Sequence, residues 1–270
     1  MILDKTNNRL TKFEFSSSRL SLIFGHLNGS NGTDVNSLNN PNDFLVESSD
    51  VIYLVDTENS RLISYQRRSQ QSSMICFQTS TTRLKNPMSM TMDDRTKLIY
   101  IADYGNNLIQ ICNLTTNQLT IFKTSSSNGN RNTYVLTPIS IRFDSNSRSL
   151  LIGQQRGFNV VRWSLDSTYW TLVAGSASSQ LNGTSRTLFN QICSIEISGF
   201  NSTFVVDCEN QRIQYYIGDL TKGRTIAGVI QAQGNNSYIF NYPTSITFDQ
   251  SMNLYVADSN NQRIQLFTAI

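Results

Sequence analysis

Few side chains in this chain of 270 residues offer chemistry, and most of those that do recur. Asp4, Asp56, Asp103, Asp207 and Asp258 stand at one phase of a repeating pattern, with Gln154 in the remaining place, at intervals of 52, 47, 51, 53 and 51 residues. Three positions after them come Asn7, Asn59, Asn106, Gly157, Asn210 and Asn261. Five positions after them come Arg9, Arg61, Leu108, Asn159, Arg212 and Arg263, each followed by an aliphatic residue. Two readings compete: rings of carboxylates able to hold a cation, or turns closed by their own side chains. Recurrence once per copy favours the second, since a catalytic group normally occurs once per protein. Each Asp is then expected to accept backbone N–H bonds in a turn, with an Asn nearby in the left-handed region. Each Arg is expected to lie along its sheet and pair with an acid or a carbonyl. No catalytic residue, metal ligand or cofactor-binding residue is assigned.

The remaining reactive groups narrow the field further. His26 is the single histidine, so histidine-based catalysis or metal binding has almost nothing to work with. The four cysteines Cys76, Cys112, Cys193 and Cys208 show no paired metal-ligand spacing. Cys193 and Cys208 fall one residue after equivalent landmarks on two antiparallel strands of the same copy. That places them roughly opposite one another and makes them a candidate disulfide, which would imply an oxidising compartment and favour an extracellular location. Cys76 and Cys112 lie in outer strands of neighbouring copies and read as unpaired thiols. The net charge of +3 is modest, and no basic run is denser than Arg67-Arg68. No apolar stretch is long enough to span a bilayer. Sequons begin at Asn28, Asn31, Asn113, Asn182, Asn201 and Asn235, but the Asn, Ser and Thr content yields about that many by chance.

The elements that must position these residues are short strands. Around each acid, period-two alternation flanks a polar turn, as at 253–268 (NLYVADSNNQRIQLFT), the pattern of an antiparallel hairpin with one buried face. Upstream, Pro41, Pro87, Pro138 and Pro243, all the prolines of the chain, precede the acid by fifteen or sixteen residues, with Ile192 in the equivalent place of one copy. Each opens a further alternating strand, where a missing N–H removes no ladder bond. A fourth strand follows each hairpin, at 21–24, 74–77, 119–122, 170–174 and 224–229, and Gly/Asn/Ser-rich connections lead to the next copy. Four short antiparallel strands in about fifty residues cannot bury both faces alone, whereas radial repetition can. The expected fold is therefore all-β, one β-propeller over 1–270 with six blades, the first and last incomplete. The first copy starts at its second strand and the last stops at its third. Both ends predict a piece of a longer chain.

The run VADxxNxRIxxF after a P-x-x-I-x-F-D strand, best seen at 243–267 and nearly as well at 56–65 and 207–215, resembles the NHL repeat. The similarity extends over essentially the whole chain, and it implies a six-bladed propeller. For function it implies a non-catalytic binding module that recognises a protein or other ligand through loops on one face. Alternatives carried by the same family are the substrate-recognising part of a ubiquitin ligase, although no RING-like Cys/His cluster is present, and RNA binding, for which Arg67, Arg68, Arg83 and Lys85 would have to gather between two blades. A metal-dependent lyase or lactonase is the enzymatic alternative. The copy with Gln154 and Asn159 also carries Arg156-Gly157-Phe158 in its turn; it reads first as a decaying repeat, and otherwise as a ligand contact made by Arg156 and Phe158. Tyr104, Phe158, Trp170 and Tyr238 sit in turns or connections, where aromatic rings either meet a ligand or cover blade edges.

Overall fold

The computed structural model describes residues 1–47, 50–76, 78–79, 82–123, 131–177, 181–199, 202–218 and 222–268. Six antiparallel sheets make the blades of a six-bladed β-propeller, and the chain divides into two compact units at Thr124/Ser125. The first unit holds a three-stranded sheet, β1 (Ile2–Asp4), β2 (Arg9–Glu14) and β3 (Arg19–Gly25). Two four-stranded sheets follow: β4 (Asp43–Val46), β5 (Val51–Asp56), β6 (Arg61–Gln66) and β7 (Gln71–Ile75), then β8 (Pro87–Asp93), β9 (Leu98–Asp103), β10 (Leu108–Asn113) and β11 (Gln118–Lys123). In the second unit the sheets are β12 (Pro138–Asp144), β13 (Ser149–Gln154), β14 (Asn159–Ser164), β15 (Thr171–Gly175); β16 (Ile192–Ser198), β17 (Ser202–Asp207), β18 (Arg212–Ile217), β19 (Arg224–Gly228); and a three-stranded β20 (Pro243–Phe248), β21 (Leu254–Asp258), β22 (Arg263–Phe267). Among the described residues the only helical pieces are single 3₁₀ turns, and no helix is long and apolar enough to cross a membrane.

Pro87, Pro138 and Pro243 each occupy the first strand position, while Pro41 stands two residues ahead of β4. The outer strands deviate by a residue or two from expectation: Trp170 precedes β15, Val229 follows β19, and Phe77 lies outside the described residues.

The period-two alternation has a different meaning from the one expected. A hairpin with a single buried face would leave every second residue in water, yet all six residues of β13 and of β17 are buried. In β5, Ile52 and Leu54 enter a core with Leu10, Phe24, Leu38, Ile63 and Tyr65. The intervening Tyr53 and Val55 enter another, with Leu62, Met90, Ile99 and Ile101. Alternate residues of β5 thus feed two cores, one shared with the sheet of β1–β3 and the other with the sheet of β8–β11. Full burial of such aliphatic side chains stabilises by about 1.5–3 kcal/mol each. In β22 the alternation does leave one side open, with Ile264 and Leu266 exposed.

Both cysteine pairs are bonded. Cys193 in β16 and Cys208, just past β17, are joined with Cα atoms 5.9 Å apart. Cys76 and Cys112, expected as thiols, also form a disulfide, with Cα atoms 5.4 Å apart. Cys76 follows β7 and Cys112 lies in β10, so this bridge ties one sheet to the next, and both residues sit in the core those sheets share. Sequence spacing within one copy shows which residues face each other across a hairpin, whereas this pair meets only when two sheets pack.

Candidate functional site

The repeated polar residues converge at one end of the sheets, where the middle hairpin turns and the connections between sheets arrive. In the copy at 207–212, a 3₁₀ turn at Cys208–Asn210 joins β17 to β18, and Gln211 takes φ 57°. Asp207 receives the N–H groups of Asn190 (3.0 Å) and Gln191 (3.3 Å) on Oδ1. On Oδ2 it receives Asn210 Nδ2 at 2.8 Å and Arg212 Nε at 2.9 Å. Asn210 also donates to the carbonyl of Gly183 at 2.9 Å. The Arg212 guanidinium reaches the carbonyls of Thr184 (2.8 Å), Ser185 (2.9 Å) and Leu188 (2.8 Å). The acid thus anchors the end of the incoming connection, while the arginine gathers three carbonyls from its middle. Asp207 and Arg212 are both fully buried. Burial pushes the Asp207 carboxyl above its ordinary value, partly countered by Asn210 and Arg212.

The same knot recurs. At 56–61, Arg61 donates to Asp56 at 2.7 Å and to the carbonyls of Thr33, Asp34 and Ser37. At 258–263, Arg263 donates to Asp258 at 2.8 Å and to those of Asn235, Asn236 and Ile239. Asp258 is pushed up by burial but ends below its ordinary value, because the Asn241 N–H and the Asn261, Gln265 and Arg263 side chains outweigh that burial. At 4–9 the pair is more exposed, and Arg9 reaches a single carbonyl, that of Leu27. The left-handed residue is not the repeated Asn but the one after it: Asn8, Ser60, Asn107, Phe158, Gln211 and Gln262. The Asn must keep its side chain over the acid, so the chain reverses one position later. A glycine closes the fourth strand where that backbone returns: Gly228 has φ +85°, and a Cβ there would lie 2.1 Å from the Gln211 carbonyl oxygen.

Two copies depart from the pattern. Where Gln154 and Asn159 replace acid and arginine, Gln154 Oε1 accepts Leu136 N–H at 2.6 Å and its Nε2 donates to Asn159 Oδ1 at 2.9 Å. Asn159 Nδ2 then donates to the Ser176 carbonyl at 2.8 Å. An ion pair has been exchanged for a neutral amide pair: Gln154 still holds the end of the incoming connection, while Asn159 reaches forward to the segment after β15 and not back to the carbonyls that the arginines gather. Where Leu108 replaces the arginine, Gln110 donates to both Asp103 and the Arg83 carbonyl.

Around these knots the expected contact residues scatter. Arg156 is exposed and Phe158 half-buried on the turn between β13 and β14, and Tyr238 is exposed on the connection ahead of β20. Tyr104 is half-buried. Trp170 is buried and donates Nε1–H to the Tyr134 carbonyl at 2.7 Å, so it covers its sheet. Arg67 and Arg68 lie beyond β6 beside Asp50, at the opposite end from Arg83 and Lys85, which flank the Asp103 knot. Six residues of strand separate those ends by roughly 20 Å, so the four do not form one basic patch. Among the sequons, Asn28, Asn31, Asn182 and Asn235 are exposed and Asn113 half-buried, while Asn201 lies outside the described residues. One cluster had no sequence signal: His26 Nε2 lies 2.8 Å from Ser37 Oγ, which also bonds Asp34. The serine stands between the other two and is buried, so the histidine does not bridge nucleophile and acid as a triad base must. Among the described residues no three His, Cys, Asp or Glu side chains gather as metal ligands.

A family model described as NHL repeat matches residues 240–267, which contain the last of these knots. No curated protein matches the sequence. Among solved structures, an auxiliary nutrient binding protein from Bacteroides ovatus superposes with a TM-score of 0.70 at 13% identity, over 98% of this chain and 65% of its own. The chain therefore spans somewhat less than two thirds of that neighbour. A structure of the nidogen/laminin complex gives 0.69 at 13% identity, over 98% of this chain and 87% of the other. A streptogramin B lyase gives 0.61 at 12% identity, over 94% and 70%. At such identities the likeness is one of fold, and it spans binding proteins and an enzyme alike. The repeat matched at 240–267 and the related hairpin knots in the other sheets support an NHL-repeat type of β-propeller.

Proposed function

We propose that the chain is a non-catalytic binding module, which recognises a protein ligand through the connections and hairpin turns at the knotted end of residues 125–270. What carries this reading is the way those loops are held. In the copies at 207–212 and 258–263 a guanidinium binds three carbonyls of the preceding connection, so the loop's backbone is satisfied from within and its outer side chains are presented on a fixed frame. Loops ordered in advance avoid the ordering cost that binding otherwise exacts. On that frame Arg156, Leu181, Arg186, Ile230 and Tyr238 are exposed, a mixture of apolar, aromatic and guanidinium groups suited to protein surfaces. The nutrient-binding neighbour and the nidogen/laminin complex lend support as propellers that bind. The two disulfides favour an oxidising compartment, and hence an extracellular setting.

An array of extracellular proteins probed with the labelled chain tests the proposal. Binding is expected to fall when Arg156, Phe158 and Tyr238 are changed together to Ala, and to survive Arg67→Ala with Arg68→Ala at the opposite end. Retention by the first set and loss by the second would overturn the assignment of the face.

A further inference from the structure

The hairpin at 103–110 keeps its acid and lacks its cation. Leu108 stands where Arg9, Arg61, Arg212 and Arg263 stand in other copies. Asp103 is fully buried and accepts Lys85 N–H at 2.8 Å, Asn106 Nδ2 at 2.8 Å and Gln110 Nε2 at 2.5 Å. No lysine or arginine among the described residues lies within salt-bridge distance of it, so the buried carboxylate has only neutral hydrogen-bond donors, with the Lys85 ammonium acting on it from farther off. The connection from β7 to β8, residues 76–86, is shorter than the 176–191 and 229–242 connections whose carbonyls an arginine gathers elsewhere. A cleft of about 500 Å³ opens beside the knot, lined by Arg83, Lys85, Asn106, Leu108 and Gln110 among others. Gln110, 1% exposed, leaves its Oε1 without a hydrogen-bond partner.

The knot at 258–265 shows what such a carboxylate accommodates. Asp258 Oδ2 accepts Asn261 Nδ2 at 2.8 Å, Gln265 Nε2 at 3.1 Å and Arg263 Nε at 2.8 Å together. Asp103 has the same asparagine and the same glutamine and lacks only the guanidinium. We propose that the cleft beside Leu108 receives the guanidinium of an arginine side chain from a partner protein, which displaces the Leu108 side chain to reach the buried Asp103 and the buried, unpartnered Gln110 Oε1. The exposed Arg83 and Lys85 at the rim select an arginine with acidic neighbours, whose carboxylates meet those two cations while the guanidinium enters. This rests on the binding-module reading and names a recognition element for it.

The test uses the full chain and a fluorescent acetyl-Glu-Arg-Glu-amide peptide, with the citrulline peptide as its uncharged counterpart, followed by anisotropy at neutral pH and low salt. Because a charge-assisted pair is replaced by a neutral one, the arginine peptide is expected to bind at least about tenfold more tightly than the citrulline peptide. Leu108→Arg, which supplies the missing guanidinium in cis, and Asp103→Asn, which removes the charge, are each expected to abolish that preference; melting curves establish that both variants are folded. Equal binding of the two peptides overturns the proposal, as does a preference that persists in whichever variant folds. An array ligand retained through either result leaves the module in place and removes only the cleft, whereas a chain that binds no array ligand overturns the module itself.

Discussion

Arg212→Leu is the sharpest perturbation of the knot, because Arg212 and Asp207 are both wholly buried and joined at 2.9 Å. The substitution strands Asp207 as an uncompensated charge beneath the 183–190 connection, and breaking one side of a buried pair costs about 3–5 kcal/mol. The carbonyls of Thr184, Ser185 and Leu188 also lose their donor, but the connection lies at the surface and water can replace much of what is lost. The chain supplies its own control, since Gln154 and Asn159 form the equivalent side-chain pair without charge. Asp207→Gln combined with Arg212→Asn copies that pair, and it is expected to cost less than the two single changes added together by roughly 2–3 kcal/mol, the upper range of coupling between contacting residues. A second control is Arg9→Leu: its pair with Asp4 is 21% and 26% exposed, so its loss is expected to cost under about 1 kcal/mol. Urea unfolding followed by far-UV circular dichroism, with slopes compared to confirm a common transition, reads all of these. A cost for Arg212→Leu as small as that for Arg9→Leu would refute the reasoning, and so would strict additivity in the double variant.

Three further outcomes follow from the same physical picture. The Cys76–Cys112 bridge closes a loop of 36 residues, so replacing both with Ser is expected to lower stability by about 3.8 kcal/mol, against about 3 kcal/mol for the 15-residue loop of Cys193–Cys208, both read by urea titration. Gly228→Ala places a Cβ against the Gln211 carbonyl at φ +85°, and a cost of about 1–3 kcal/mol is expected in thermal melts, whereas Gly199→Ala, with nothing within 4 Å, is expected to be neutral. Burial raises the Asp103 carboxyl above its ordinary value, countered in part by Lys85 N–H, Asn106 and Gln110. A carboxyl that holds its proton more tightly folded than unfolded favours the fold below the unfolded value of about 3.9 and loses that advantage as pH rises through the folded value. Asp103→Asn removes this loss, with Gln110 able to turn its Oε1 toward the new amide, so the variant's stability relative to wild type should climb between pH 4 and 7; a flat difference would contradict it.

Much of the blade was legible without coordinates, because the signals that build it are local. Proline at a strand start, a left-handed position after a polar turn, and an acid within reach of the N–H groups it accepts all depend on residues close in the chain. Asp207, Asn210 and Arg212 advertise a knot by spacing alone. The partners they hold do not, since the carbonyls of Thr184, Ser185 and Leu188 lie more than twenty residues upstream and carry no side-chain signature. The alternation in β5 is visible as letters, but whether its second face meets water or another sheet depends on what packs beside it. The exchange of an ion pair for Gln154 and Asn159 looked like loss of pattern, because complementarity is a property of the pair in space.

By itself, then, the sequence determined the repeat, its six phases, the strand order within each blade and the candidate Cys193–Cys208 bridge, all consequences of short-range backbone preference and hairpin register. Only the tertiary structure decided that middle strands are buried on both faces, that Cys76 and Cys112 are bonded across adjacent sheets, and that Asp103 lies buried without a cation beside a cleft. Burial, disulfide pairing and desolvation are set by residues tens of positions apart being pressed together, and a repeat shows which residues are alike without showing which are neighbours.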